Sequence, residues 1–259
     1  MAGKDRIIDE SQQLTSNWLQ TPLGQALMQQ EARLVEEVMD GLFGEQCLQL
    51  GLWGESGAFT RFARTQRATC IADQHGTTVG SPGAVGRLHR LPVASDSVDV
   101  VLLPHTLDYS DDRSHAILRE TDRVLTPHGH VVILGFKPGG LWGLRRLVPG
   151  AGMPPGAMRP ISDRRLSDWL QLLDMRILGV TRYFFRWPLP GKKRQNSATW
   201  EERGRRFWPE LAACYMLTAQ KRVVTLTPIK KPWLSRPKVV GGIVEPTTRV
   251  SRIRFDRNN

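Results

Sequence analysis

The sequence predicts an α/β protein built on a doubly wound sheet of about seven strands, with the last strand antiparallel. Three observations carry this. Short apolar runs of strand length alternate with stretches of helical period. The clearest unit, Leu91 to Phe136, places two such runs, Val98 to Leu103 and His130 to Phe136, around one amphipathic helix from Ser114 to Leu125. The final runs, Met175 to Phe185 and Leu211 to Thr218, are joined without a recognisable helix. Parallel neighbours need a long crossover, so this last pair reads as antiparallel.

The elements follow in order. Residues 1 to 16 read as an irregular lead-in. Thr21-Pro22 starts a helix whose apolar face carries Leu27, Leu34, Val35 and Val38, and Gly41 and Gly44 close it. Cys47 to Leu50 is the first strand, with a helix expected from Ser56 to Arg64 and a second strand at Ala68 to Ala72. Gln74 to Val85, with Gly76, Gly80, Pro82 and Gly83, reads as loop, and Arg87 to Arg90 as a short third strand. Thr126 to Gly129 is the turn before the fifth strand, where Gly129 would tolerate positive φ. Leu141 to Leu147 reads as a short helix, and Ser162 caps another that runs to Leu173. The organisation is an N-terminal helical extension (1–45), a main domain (46–220) with a basic insertion (187–209), and a basic tail (221–259).

The chain of 259 residues is 40% apolar and 24% charged, ordinary for a globular protein. It holds no apolar run near the roughly 18 residues that span a bilayer, and its polar N-terminus is unlike a secretory signal. Cys47, Cys70 and Cys214 lie in apolar runs, as buried thiols of a reducing compartment do. A cytoplasmic location is expected. The cysteines and six histidines show no metal-ligand spacing, so no metal site is expected. The net charge is +11, and residues 221–259 hold ten Lys or Arg against two acids. Such a tail either associates with polyanions, nucleic acid among them, or serves as a solvated basic face.

Leu91-Pro92-Val93 followed by Ser97-Val98-Asp99-Val100-Val101 resembles the "LPF…SFDVV" signature of class I S-adenosylmethionine-dependent methyltransferases. The branch it most resembles is that of the ubiquinone and menaquinone C-methyltransferases. Arg119-Glu120, with Arg123-Val124-Leu125-Thr126-Pro127-His128-Gly129, resembles that family's helix-to-strand turn, E-x-x-R-V-L-K-P-G-G. The resemblance implies a Rossmann-like fold, S-adenosylmethionine as cofactor and an unidentified methyl acceptor.

Residue by residue, the family's D-x-G-x-G-x-G loop falls on Gln49 to Glu55. Gly51 matches the first glycine, while Gln49 replaces the acid and Trp53 and Glu55 replace the later glycines. A shifted loop using Gly54 would recover part of the close backbone approach. Asp73, 22 residues after Gly51, matches the acid that accepts both ribose hydroxyls. The adenine-contacting acid falls on Arg87, which leaves Leu88 or Leu91 and backbone amides to hold the base. Pro104 and His105 end the fourth strand, where the family lines its methyl-transfer point. His105 reads either as a base of near-neutral pKa or as a strand cap. Tyr109 or Asp108 could orient an acceptor, although Asp108 equally suits a helix start. The insertion, with Trp187, Trp200, Phe207 and Trp208 among Arg and Lys, reads as a nucleic-acid surface, a lid or ordinary packing. A module that has lost the cofactor and holds nucleic acid is the competing function.

Overall fold

The computed structural model describes residues 14–55, 57–73, 83–140, 142–143, 159–186 and 197–222. Its strands are β1 (Phe43–Leu50), β2 (Arg64–Ala72), β3 (Ala84–Val85), β4 (Val98–Pro104), β5 (Leu125–Phe136), β6 (Met175–Tyr183) and β7 (Cys214–Lys221). They form one sheet in the order β3-β2-β1-β4-β5-β7-β6. The pairs from β3 to β5 are parallel, and β7 runs antiparallel to both β5 and β6. This is the expected α/β sheet. The strand order reverses between β1 and β4, and in such sheets ligands bind at the carboxyl ends on either side of that reversal.

Helices α1 (Pro22–Met39), α2 (Ser114–Val124), α3 (Asp163–Leu172) and α4 (Ser197–Phe207) complete the regular structure. Strand alternation splits the interior in two. Val101 and Leu103 of β4 and Val131 and Ile133 of β5 join α2 and α3 in one core. Val100, Leu102, Val132 and Leu134 join α1 in the other. Both faces are therefore covered, which explains the unbroken apolar runs of β4 and β5. Helix α1 begins as its sequence requires, with Thr21 Oγ1 accepting the Gly24 amide at 3.2 Å and Pro22 in the first turn. Ser162 caps α3 by accepting the Arg165 amide.

Asp99 shows why the start of β4 is polar. Its Oδ2 accepts the amides of Glu45 and Gln46 at 2.7 and 3.0 Å, and Gly44 lies so close that a Cβ there would stand 2.4 Å from Asp99 Cβ. We expect Asp99→Ala to cost about 1–3 kcal/mol by stranding these amides. Urea unfolding of the two proteins checks this.

Several expected boundaries are corrected. The helix expected at Ser56 to Arg64 is a 3₁₀ turn at Thr60–Phe62, and β2 already begins at Arg64. Its β-branched stretch pairs with β1 from Phe43↔Arg64 onward, and the ladder wins over a short helix. Gly44 lies within β1 and does not close α1. The third strand is Ala84–Val85, paired to Ile71 and Ala72, and Arg87 to Arg90 is a turn. Positive φ after α2 falls on His128 (66°) rather than Gly129, whose missing Cβ instead admits the Thr126 carbonyl. A helix, α4, does lie between β6 and β7, although the pair is antiparallel as expected. Residues 14–19 are helical, so the supposed lead-in ends in helix over its last three residues. The expected tail at 223–259, the insertion's first part at 187–196 and most of the expected helix at Leu141 to Leu147 lie outside the described residues.

Candidate functional site

The carboxyl ends of β1 and β4 press together at the strand reversal. Gly51 turns the chain after β1 at φ 86°, and a Cβ there would stand 2.9 Å from Thr106 Oγ1. The Thr106 hydroxyl donates to the Leu50 carbonyl, which ties the turn after β4 to the end of β1. Gly54, also at positive φ (76°), lies against the Met28 methyl of α1. Both glycines singled out in the sequence thus serve close approach. Asp73 is exposed one residue beyond β2, and the Gly51 amide bonds to Ile71 of the same strand end.

His105 follows β4 at φ 54°, a conformation that side chains other than Gly, Asn, Asp and His rarely adopt. Its ring is wholly buried, with Nε2 2.8 Å from Glu31 Oε1 and Nδ1 3.1 Å from Asp108 Oδ2. Asp108 Oδ2 also accepts the Phe136 amide at 2.9 Å, so Asp108 is a buried partner of His105 and not a helix cap. Glu31 accepts twice more, from Trp53 Nε1 at 2.7 Å and from the Tyr183 hydroxyl at 2.9 Å. The imidazole lies between the Trp53 and Phe136 rings, each with its centroid 4.2 Å away.

Burial alone would depress the His105 pKa, but the Glu31 and Asp108 carboxylates outweigh it and raise it to about 9. The near-neutral base expected from the sequence is therefore corrected to an imidazolium held between two carboxylates. Burial raises Asp108, an effect that His105 partly offsets. Burial likewise raises Tyr109, with the Thr15 hydroxyl partly offsetting it. Tyr183 and Cys214 are pushed well up by burial, with the neighbouring carboxylates adding to it.

His105 and half-buried Tyr109 meet around Trp53, Pro104 ends β4 just before His105, and Gly51 adjoins this turn through Thr106. Leu91 does not join this cluster. It belongs to the core on the other face, and its amide donates to Glu120 Oε1 at 2.7 Å. The sequence reading missed Glu31, although the signal was present: the buried positions of α1 step through Leu27, Glu31, Val35 and Met39. A carboxylate in an apolar stripe needs a partner.

The residues fit an adenosyl cofactor at one end. Asp73 offers an exposed, acceptor-only carboxylate, and Gln49 Oε1 is buried without a hydrogen-bond partner among the described residues. At the other end, the buried Trp53 indole fills the space beside His105 where the family's loop carries glycine.

Residues 54–133 match a family model described as a methyltransferase domain. The uncharacterized protein YafS of Escherichia coli (strain K12) is 39% identical over 145 residues, 54% of this chain and 56% of that protein. A SAM-dependent methyltransferase from Archaeoglobus fulgidus superposes with a TM-score of 0.51 at 15% identity, covering 76% of this chain and 94% of that one. Another, from Thermotoga maritima, gives 0.51 at 16% identity over 76% and 92%. The family match is thus confined to residues 54–133, and the sheet has the fold of these S-adenosylmethionine-dependent methyltransferases. None of these three relatives is described as a quinone methyltransferase. No helix among the described residues is long and apolar enough to cross a membrane.

Proposed function

We propose that the chain is an S-adenosylmethionine-dependent methyltransferase acting in the cytoplasm on an unidentified acceptor. The single observation that carries this is the methyltransferase-domain match over 54–133, which takes in β2, β3, β4 and most of β5. The cofactor supplies a methyl group on a sulfonium, open to in-line attack by a nucleophile. Asp73 accepts the ribose hydroxyls, Gly51 lets the backbone approach, and Gln49 Oε1 takes a donor from the bound group. Pro104 lends an apolar wall.

His105 acts here as a positioning residue. Both ring nitrogens are engaged, so it holds Glu31, Trp53 and the turn after β4 in one arrangement. Tyr109, half-buried beside Trp53 with its hydroxyl buried, lines the acceptor side of the cluster. Positioning the nucleophile against the methyl group supplies much of the rate in such a displacement. The free, buried thiols of Cys47, Cys70 and Cys214 agree with a reducing compartment.

Asp73→Ala tests the ribose assignment. Hydrogen bonds to a charged group are worth about 1.5–3 kcal/mol, so affinity for S-adenosylhomocysteine should fall roughly 10–100-fold by that principle. Thermal shift against ligand concentration measures it. An unchanged affinity would remove Asp73 from the site.

A further inference from the structure

Three elements far apart in sequence deliver metal-ligating atoms to one buried point. Glu31 comes from α1, His105 from the turn after β4, and Cys214 from the first position of β7. One ligand atom from each lies within 4.8 Å of the others, and all three residues are buried. The sheet register explains the meeting. Phe136, Cys214 and Tyr183 are direct cross-strand partners on β5, β7 and β6, and they share the face that α1 covers.

We infer that Glu31, His105 and Cys214 form a binding site for one divalent cation of the zinc type. A tetrahedral ion with bonds of about 2.0–2.3 Å needs ligand atoms about 3.3–3.8 Å apart. The observed spread reaches this with small side-chain shifts. A thiolate, an imidazole and a carboxylate together favour zinc or cobalt over magnesium or calcium. The Tyr183 hydroxyl, already bonded to Glu31 Oε1 at 2.9 Å, is a fourth donor beside these three.

Two further observations point to a cation. The outer shell is built: Asp108 holds His105 Nδ1, itself fixed by the Phe136 amide, and Trp53 fixes the second Glu31 oxygen. Metal-ligating histidines carry this kind of carboxylate partner on their other nitrogen. Also, Glu31 and Asp108 bring two buried carboxyl groups to one imidazole, and among the described residues no Lys or Arg pairs with either, so no fixed side-chain cation other than the imidazole takes the ion's place. Binding would displace the protons on His105 Nε2 and Cys214 Sγ to solvent, and the ion would take their place. This site stands apart from the exposed Asp73 and does not depend on the methyltransferase reading.

The test uses the full chain, stripped by a chelator and titrated with Co²⁺. The expected result is one Co²⁺ per chain, with a thiolate-to-cobalt charge-transfer band that Zn²⁺ abolishes. Cys214→Ser should lose the band while retaining its far-ultraviolet circular dichroism. Glu31→Gln, which keeps the thiol and the shape, should keep the band but bind at least tenfold more weakly, and it serves if Cys214→Ser does not fold. Absence of stoichiometric binding, or a band that survives in Cys214→Ser, overturns the proposal and leaves a metal-free ion-pair network.

Discussion

Replacing His105 by alanine in metal-free protein should lower the thermal midpoint by roughly 10 °C, from a loss of about 3–5 kcal/mol. The substitution removes the imidazole that meets Glu31 Oε1 and Asp108 Oδ2 and leaves two carboxylates buried against each other. Water cannot reach either to compensate, since both are essentially unexposed. The Trp53 and Phe136 rings also lose the face that each packs on. A distinctive pH dependence should vanish in the same variant. The His105 pKa is raised to about 9 from 6.5, so the folded state binds its proton more tightly than the unfolded chain. That contribution is fully present below pH 6.5 and is lost as pH rises through about 9. Asp108, raised by burial, has the same sign but acts at lower pH, above its unfolded value. Tyr109, Tyr183 and Cys214, which face the same cluster, are all pushed upward, so their own loss of stability begins only as pH passes the unfolded thiol and phenol values, above about pH 8. Thermal melts from pH 6.5 to about 8, below the range in which unfolded thiols ionise, should show the wild type losing stability. His105→Ala should be flat there. A wild-type profile that is equally flat would refute the imidazolium assignment.

Trp53→Ala should cost about 3–5 kcal/mol, the range for deleting a fully buried aromatic side chain. Trp53 is 2% exposed, touches the rings of His105, Tyr109 and Phe136, and donates to Glu31 Oε2. Truncation therefore opens a cavity and strands an acceptor in one step. Trp53→Phe separates the two effects. It keeps most of the packing and loses the N–H, so it should cost only about 1–3 kcal/mol. Denaturant unfolding of the three proteins gives the comparison. Equal losses in both variants would mean that the indole hydrogen bond, and not the packing, dominates.

Much of the fold was legible because its signals are local. The apolar runs of β4 and β5, the Thr21-Pro22 start and the Ser162 cap each depend on residues within a few positions. Thr60 to Arg64 was misread as helix, because the pairing of β2 with β1 from Arg64 onward is not written in its own sequence. The sequence nominated the ends of β1 and β4 through Gly51, Gly54 and His105, all three at positive φ. The partners of His105 were only half visible. Asp108 is three residues away and looked like a cap, while Glu31 is 74 residues away. Cys214 and Tyr183 become neighbours only through the β6–β7 register. Long-range convergence of this kind leaves no spacing to recognise. The one trace it left was the acid within the apolar stripe of α1.

The central claim is that the strand reversal binds an adenosyl cofactor despite Trp53 in the glycine-rich position. Calorimetric titration of the full chain with S-adenosylhomocysteine tests it most directly. Saturable binding of one molecule per chain, competed by S-adenosylmethionine, is the predicted result. No heat of binding at millimolar ligand, in protein that is folded by circular dichroism, would contradict it.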